Sequence, residues 1–162
     1  MVSIVQKNVR GNIENWLKFK NIDGMDILFR NFRGEGTRYN AEGKRNFNVI
    51  VPNDVAEQLI DSGWHLRILK PRDEDEEPRY CLKVSLNIGG RSPLEVWQYT
   101  RNGRVLLDEE MIENLDWADI ERADFVVSPY EYEPGKFTGW LYELRVWLAE
   151  SMLDEDEYPT DE

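Results

Sequence analysis

The stretch FRNFRGEGTRYNAEGKRNFNVIVP, residues 29–52, joins the end of one hydrophobic run to a second run through a loop with three glycines. The runs span 25–32 and 46–51, and each alternates as a β-strand requires, since successive side chains of a strand point to opposite faces. The faces expected to turn toward the core carry Met25, Ile27 and Phe29 in the first run and Phe47, Val49 and Val51 in the second. The stretch therefore predicts two strands joined by a loop.

The loop between these strands combines positive charge with flat side chains. Its cations are Arg33, Arg38, Lys44 and Arg45, and aromatic rings stand among or beside them at Phe32, Tyr39 and Phe47. The glycines allow backbone conformations that other residues resist, which predicts a flexible loop. Such a loop suits single-stranded nucleic acid, whose phosphates attract cations and whose bases stack on rings. The alternative is a solvated hairpin loop with aromatics anchoring its base.

Length and composition predict one folded domain, because 162 residues with 41% hydrophobic side chains can bury a core. No apolar run is long enough to span a bilayer and the first eleven residues lack a signal-peptide core, so we expect a cytoplasmic protein without a membrane partner. Cys81 and His65 are single, which excludes an internal disulfide and a Cys/His zinc site. Neither a phosphate-binding motif nor a nucleophile–base pair stands out, so we expect neither cofactor nor enzyme activity.

The net charge of −12 is unevenly distributed along the chain. Residues 1–52 carry +4, residues 53–104 carry −1 and residues 105–162 carry −15. Local charge decides where a polyanion docks, whereas total charge governs solubility and long-range repulsion. The asymmetry therefore remains compatible with a nucleic-acid partner.

The rest of the chain predicts further strands and two short helices. Pro52 with Asn53 or Asp54 begins the first helix, which Gly63 ends. Asp108 begins the second helix, which runs through Leu115. Strands are expected over 64–70, 80–88, 94–100, 124–132 and 139–150, with a tight hairpin at the Asn-Gly pair 102–103, whereas residues 1–24 fit a strand or a helical turn. Many short strands with turns between them are typical of an all-β barrel or sandwich.

Two faces of these strands decide where aromatic side chains point. In the last strand, Trp140, Tyr142, Leu144, Val146 and Leu148 are expected to share one face. If Leu94 and Val96 face the core, then Trp97 and Tyr99 project outward, as Arg30 and Phe32 do on the strand over 25–32. Outward rings beside Arg30, Arg33, Arg101 and Arg104 would form a stacking platform. For Trp97 the alternatives are a second core layer under a loop and a dimer interface.

The end of the chain is strongly acidic. Residues 154–162 hold six acids and no base, with Tyr158 as the one large hydrophobic residue. Such a segment cannot bury enough apolar area to fold alone, so we expect a disordered acidic tail over 152–162 after a domain over 1–151.

The sequence RYNAEGKRNFNVIVP at 38–52, followed by Ala56-Glu57 and Gly63-Trp64, resembles small phage-encoded single-stranded DNA-binding proteins with an OB-type barrel. The strands over 80–88, 123–132 and 139–148 and the acidic tail extend the resemblance over most of the chain. The resemblance implies an OB-like β-barrel and a host-cell cytoplasmic location. It also implies a tail that recruits replication or recombination proteins and competes with DNA. The implied tail residues are Asp154, Glu155, Asp156, Glu157 and Tyr158.

We therefore predict a protein that binds single-stranded DNA without strong sequence preference, in phage DNA replication, recombination or repair. Phosphate contacts are predicted for Arg30, Arg33, Arg38, Lys44 and Arg45, base stacking for Phe32, Tyr39, Trp97 and Tyr99, and further contacts for Arg101 and Arg104. The alternatives are an acidic adaptor or inhibitor that imitates DNA and binds a host protein, and a virion component. A homodimer, the preference for DNA over RNA and the site size are left open.

Overall fold

The computed structural model describes residues 1–71, 73–89 and 94–149, and this part of the chain is mostly β-strand. The strands are β1 (Val2–Val9), β2 (Asn12–Asp23), β3 (Ile27–Asn31), β4 (Arg45–Val51), β5 (Arg67–Leu69), β6 (Arg79–Leu86), β7 (Glu95–Thr100), β8 (Gly103–Leu106), β9 (Ile120–Glu133) and β10 (Lys136–Leu148). One α-helix, α1 (Asn53–Asp61), and two 3₁₀ helices, Gly24–Asp26 and Met111–Asp116, accompany them. The predicted all-β class is confirmed. The acidic tail predicted over 152–162 lies outside the described residues.

All ten strands belong to one sheet, whose main path runs β1-β2-β9-β10-β6-β4-β3. β10 is the branching strand: it pairs with β9 along its length, with β6 at residues 139–140 and with β7 at residues 143–147. The β7–β8 hairpin extends the sheet from that second half of β10. The path is open, since no hydrogen-bonded pairing joins β1 to β3 among the described residues.

A single hydrophobic core draws side chains from both ends of this path. Phe19 of β2 stacks on Phe125 of β9 with ring centroids 4.5 Å apart, and Phe125 meets Phe47 of β4 edge to face at 5.5 Å. The predicted inward face of the strand over 80–88 is confirmed, because Leu82, Val84 and Leu86 are buried. Aromatic pairs of this kind add about 0.5–1.5 kcal/mol beyond the area they bury.

Two β-bulges reverse the inward and outward faces that the alternation predicts. In β3, Phe29 has φ +51° and the register with β4 shifts between Leu28 and Asn31, so Phe29 points outward instead of into the core. In β10 the register shifts between Leu141 and Glu143, which buries Leu141 and leaves Tyr142 on the surface. An extra residue in one strand moves the side chains on one side of the bulge to the opposite face of the sheet. The predicted faces are therefore wrong for Met25, Phe29 and Tyr142, which are exposed, whereas Ile27 is buried as expected and Leu144 and Val146 share one buried face.

The local signals at the turns and helices are mostly accurate. The first helix lies where it was predicted, but no side chain caps it, and Pro52 occupies the N-cap position. Asp108 accepts hydrogen bonds from the amides of Glu110 and Met111, although the helix that follows is a 3₁₀ helix. Residues 1–24, left undecided by the sequence, form the β1–β2 hairpin. Among the described residues, no helix is sufficiently long and apolar to cross a membrane.

Candidate nucleic-acid interface

A cleft of about 620 Å³ lies on the outer face of β3, β4, β5 and β6, beside the loop that joins β3 to β4. The residues that line it are Phe29, Arg30, Asn31, Arg33, Glu35, Thr37, Tyr39, Asn40, Asn46, Asn48, His65, Arg67, Lys83, Asp116 and Trp117. Its floor is formed where β4 pairs with β6, with Asn48 opposite Lys83. The cleft thus combines strand side chains with the predicted cationic loop.

Three exposed aromatic rings line this cleft, and each has an arginine beside it. Phe29, Tyr39 and Trp117 are 56%, 86% and 66% exposed. Their arginine partners are Arg67 at 5.5 Å, Arg38 at 5.8 Å and Arg33 at 5.2 Å from the respective ring centroid. Such pairs place a flat ring next to a planar cation, the combination that holds bases and phosphates of a single strand.

The loop beside the cleft is held in shape by asparagine side chains. The side-chain Nδ2 of Asn31 donates to the backbone carbonyl of Glu35 at 3.0 Å. The side-chain Oδ1 of Asn31 accepts from the backbone N–H of Glu35 at 2.8 Å. Asn40 donates to the carbonyls of Glu35, Ala41 and Lys44. The buried Asn46 in turn donates to the Asn40 side chain at 2.9 Å. These bonds give the glycine-rich loop a defined conformation that presents Tyr39 to the cleft.

Arg33 sits in an acidic setting at one side of the cleft. It forms an ion pair with Glu35 at the surface, and its Nε lies 4.0 Å from Oδ2 of Asp116. Asp116 also accepts hydrogen bonds from the backbone amides of Phe32, at 2.6 Å, and Arg33, at 3.3 Å. Asp116 therefore anchors the start of the loop to the 3₁₀ helix Met111–Asp116.

Two residues predicted to bind nucleic acid have other roles in the structure. Phe32 is 1% exposed and stacks on Phe47 with centroids 5.4 Å apart, so its ring belongs to the core and the stacking prediction is wrong. Arg30 lines the cleft, but four of its five N–H groups have backbone partners. They donate to the carbonyls of Gly24, Ile27, Leu115 and Ala118 at 2.7–3.3 Å. Burial lowers the pKa of the Arg30 guanidinium, while the charges of Asp116 and Asp119 raise it. This arginine ties β3 to both 3₁₀ helices.

The remaining loop cations differ in how available they are. Arg38 and Lys44 are exposed. Arg45 is half-buried and donates to the carbonyls of Phe32, at 2.5 Å, and Glu109, at 3.4 Å. Its charge lies beside the loop, but its guanidinium already joins the start of the loop to the residues just before the 3₁₀ helix Met111–Asp116.

Several cleft residues were missed by sequence reasoning. Trp117 follows the second 3₁₀ helix, Arg67 and His65 lie in or beside β5, and Lys83 lies on the outer face of β6. The alternation in β6 does point Lys83 away from the core, which was a usable signal.

Cys81, expected on a polar face, is fully buried, and burial raises the pKa of its thiol despite the opposing effect of Arg67.

The predicted residues of the β7–β8 hairpin lie outside the cleft. Trp97 and Tyr99 are half-buried and point away from Val96, which is buried as expected. Arg104 covers the Trp97 ring at 4.6 Å, and Tyr99 stacks on Trp147 of β10 with centroids 4.7 Å apart. Arg101 is exposed in the hairpin turn. None of these side chains lines the cleft, so the single platform predicted from the sequence is divided between two surfaces.

A family model places the chain among known proteins. Residues 7–145 match the family described as "Putative phage ssDNA-binding domain". The chain belongs to this family. Its members are phage single-stranded DNA-binding domains, as the resemblance at 38–52 predicted. No curated protein matches the chain.

One solved structure extends the family assignment to the fold. The single-stranded DNA-binding protein of bacteriophage Enc34, solved in complex with ssDNA, is 13% identical and has a TM-score of 0.51. That match covers 91% of this chain and 97% of the other. A C-terminally truncated form of the Enc34 protein is 12% identical with a TM-score of 0.49, over 91% of this chain and 96% of the other. The family member described here thus shares its overall fold with the Enc34 protein in the complex.

Proposed function

We propose that the cleft is where this family member binds single-stranded DNA without sequence preference, during phage DNA replication, recombination or repair. The observation that carries this proposal is the set of three exposed rings with adjacent arginines in one cleft. Phe29, Tyr39 and Trp117 stack bases, a contact worth about 1–3 kcal/mol per base that every base can make. Arg33, Arg38, Arg67 and Lys83 contact phosphates. No chemical step and no cofactor are part of this function.

We also propose that the open sheet acts as an OB-like barrel, with β2 and β3 serving as one bent strand. Only the 3₁₀ helix Gly24–Asp26 separates the two strands, and β2 pairs with β9 while β3 pairs with β4. Counted as one strand, they complete a ring that runs through β4, β6, β10 and β9. The β6–β10 pairing in that ring is parallel and the others are antiparallel. Oligonucleotides bind OB-folds on strands 2 and 3 and on the adjoining loops, which here correspond to β4, β6 and the loop over 32–44.

The organisation around the cleft follows from the same proposal. A domain over 1–151 binds DNA in the host cytoplasm, and a tail over 152–162 recruits replication or recombination proteins through Asp154, Glu155, Asp156, Glu157 and Tyr158. Support for the tail comes from its composition, since residues 154–162 hold six acids and no base.

The test is a titration of the full chain with single-stranded and duplex oligonucleotides at several salt concentrations. Each phosphate neutralised on a single strand contributes a slope of about −0.7 in log K against log salt, so four contacts give a slope of about −3. Equal affinity for duplex, or a flat response to salt, would contradict the proposal.

A pair of matched variants locates the binding site. Trp117→Ala removes an exposed ring from the cleft, whereas Tyr142→Ala removes an exposed ring from β10, outside the cleft lining. Trp117→Ala should weaken binding by about 1–3 kcal/mol if its ring stacks one base. Tyr142→Ala should retain the affinity of the unmodified chain. Equal effects of the two variants on affinity would contradict the proposal that the cleft is the binding site.

A further inference from the structure

A second surface on the outer side of the sheet carries a row of two aromatic rings between two arginines. The row crosses four strands in register: Arg104 of β8 lies opposite Tyr99 of β7, Tyr99 opposite Trp147 of β10, and Trp147 opposite Arg122 of β9. We propose that this row, named here the hairpin face, is a second contact site for the phosphates of single-stranded DNA. The inference rests on the proposed function of the cleft and extends it to a longer strand.

The rings of the hairpin face support the arginines and leave little ring surface for bases. The Arg122 guanidinium lies 3.9 Å from the centroid of Trp147, which stacks on Tyr99 at an interplanar angle of 14°. At the other end, Arg104 lies over Trp97 at 4.6 Å. A guanidinium stacked on a ring keeps its N–H edges free to point outward, and its planar fork matches a phosphate. The arrangement therefore favours contact with the sugar–phosphate backbone, which carries no sequence information.

The charges around the row are compatible with an anionic ligand. Arg145 is exposed on the same face, directly opposite Trp97. Two acids lie near the arginines, and both accept backbone hydrogen bonds: Asp124 from Asn21 at 2.8 Å and Asp23 from Met25 at 2.9 Å. Asn21 also holds Arg122 in place by accepting a bond of 2.8 Å from its Nη1. Glu95 and Glu143 lie opposite each other, and Glu143 is four residues before Trp147 in β10.

The hairpin face is separate from the cleft along the sheet. β10 meets β6, whose outer face forms the cleft floor, at Trp140, and it meets the hairpin face at Trp147. Seven residues of strand span roughly 20 Å at about 3.3 Å per residue. A short oligonucleotide that only fills the cleft does not reach the hairpin face, whereas a longer oligonucleotide does.

The test compares two oligothymidines, one of about 6 nucleotides, near the lower end of the site sizes of OB-folds, and one of about 20 nucleotides, above their upper end. The variant is Arg104→Gln with Arg122→Gln, which keeps two polar side chains but removes both charges. Affinity for the long oligonucleotide should fall about tenfold at low salt, and the salt slope should become shallower by about 1.4, since two phosphates lose their cations. Affinity for the short oligonucleotide should stay the same.

Matched controls make each outcome decisive. The control variant Lys7→Gln with Lys70→Gln removes two charges that lie outside both surfaces. It should lower the affinity for the two oligonucleotides equally, and only through the change in net charge. An equal response of the two lengths to the arginine variant, or no response at all, would overturn the hairpin face. Thermal unfolding of the variant checks its fold, and Arg104→Gln alone, which leaves the Arg122 bond to Asn21 intact, repeats the test if the double variant is unstable. Trp117→Ala should weaken both lengths, so failure of the cleft proposal is recorded separately.

Discussion

Arg33 combines an acidic and an aromatic environment within the cleft. Its guanidinium faces the Trp117 ring on one side and the Glu35 carboxylate on another. A phosphate that binds Arg33 therefore has to displace Glu35, which occupies the position of the anion in the free protein. An exposed ion pair of this kind contributes about 0–1 kcal/mol, so the displacement costs little but measurable affinity.

Replacing Glu35 with glutamine should therefore tighten binding of single-stranded DNA by up to about fivefold, as expected for an exposed pair. Glu42→Gln is the matched control, since Glu42 is an exposed acid of the same loop. Equal gains from both variants would show that only net charge matters, and a loss in Glu35→Gln would show that Glu35 orients Arg33.

Arg30 and Arg33 lie three residues apart, yet their contacts predict opposite phenotypes. Arg30→Ala leaves four backbone carbonyls without their donor and should lower the free energy of unfolding by about 2–4 kcal/mol, within the range for loss of a buried network. Arg33→Ala should unfold at nearly the temperature of the unmodified chain and bind DNA more weakly. Thermal unfolding and oligonucleotide titration of both variants check the difference. A stable Arg30→Ala variant would contradict the structural role of Arg30 and favour the original prediction that Arg30 contacts phosphates.

At the scale of elements, the sequence predicted the strands more accurately than their faces. Period-2 alternation in β6 is regular, and its inward side chains were identified correctly. The bulges at Phe29 and Tyr142 invert the side chains on one side of each bulge, and no residue type in either segment marks a bulge in advance. The bulge in β3 also shapes the candidate site, because it brings the Phe29 ring into the cleft.

The bend between β2 and β3 gives a prediction for the element itself. A Cβ at Gly24 would lie 1.9 Å from the carbonyl oxygen of Ile120, a backbone atom of β9 that cannot move aside cheaply. Gly24→Ala should therefore destabilise the fold by more than about 3 kcal/mol, at the severe end of single substitutions. Gly11→Ala, at an open turn with φ +86°, should cost about 1–2 kcal/mol from backbone strain alone. Chemical denaturation of the two variants measures the difference, and similar losses would mean that the bend tolerates a side chain.

At the scale of the molecule, the cleft could be predicted only in part, because its walls come from distant parts of the chain. The loop cations and Tyr39 lie within one local segment, and the sequence located them. Trp117 and Lys83 meet that segment across strand pairings and a 3₁₀ helix that local patterns do not specify. Trp97 and Tyr99 show the converse, since their outward direction was predicted but their separation from the loop was not.

The overall charge of −12 leads to the last prediction, which concerns residues 153–162. We expect this segment, with six acids and no base, to act as a tethered competitor for the cleft, at an effective concentration in the millimolar range for a short flexible connection. Deleting 153–162 should therefore tighten single-stranded DNA binding, most strongly at low salt, where charges are least screened. The control keeps the full length and replaces the six acids by their amides, so that charge is separated from chain length. Oligonucleotide titrations at low and high salt measure the effect. The same gain in both variants assigns the competition to the carboxylates, whereas unchanged or weaker binding after deletion would show that the segment does not compete.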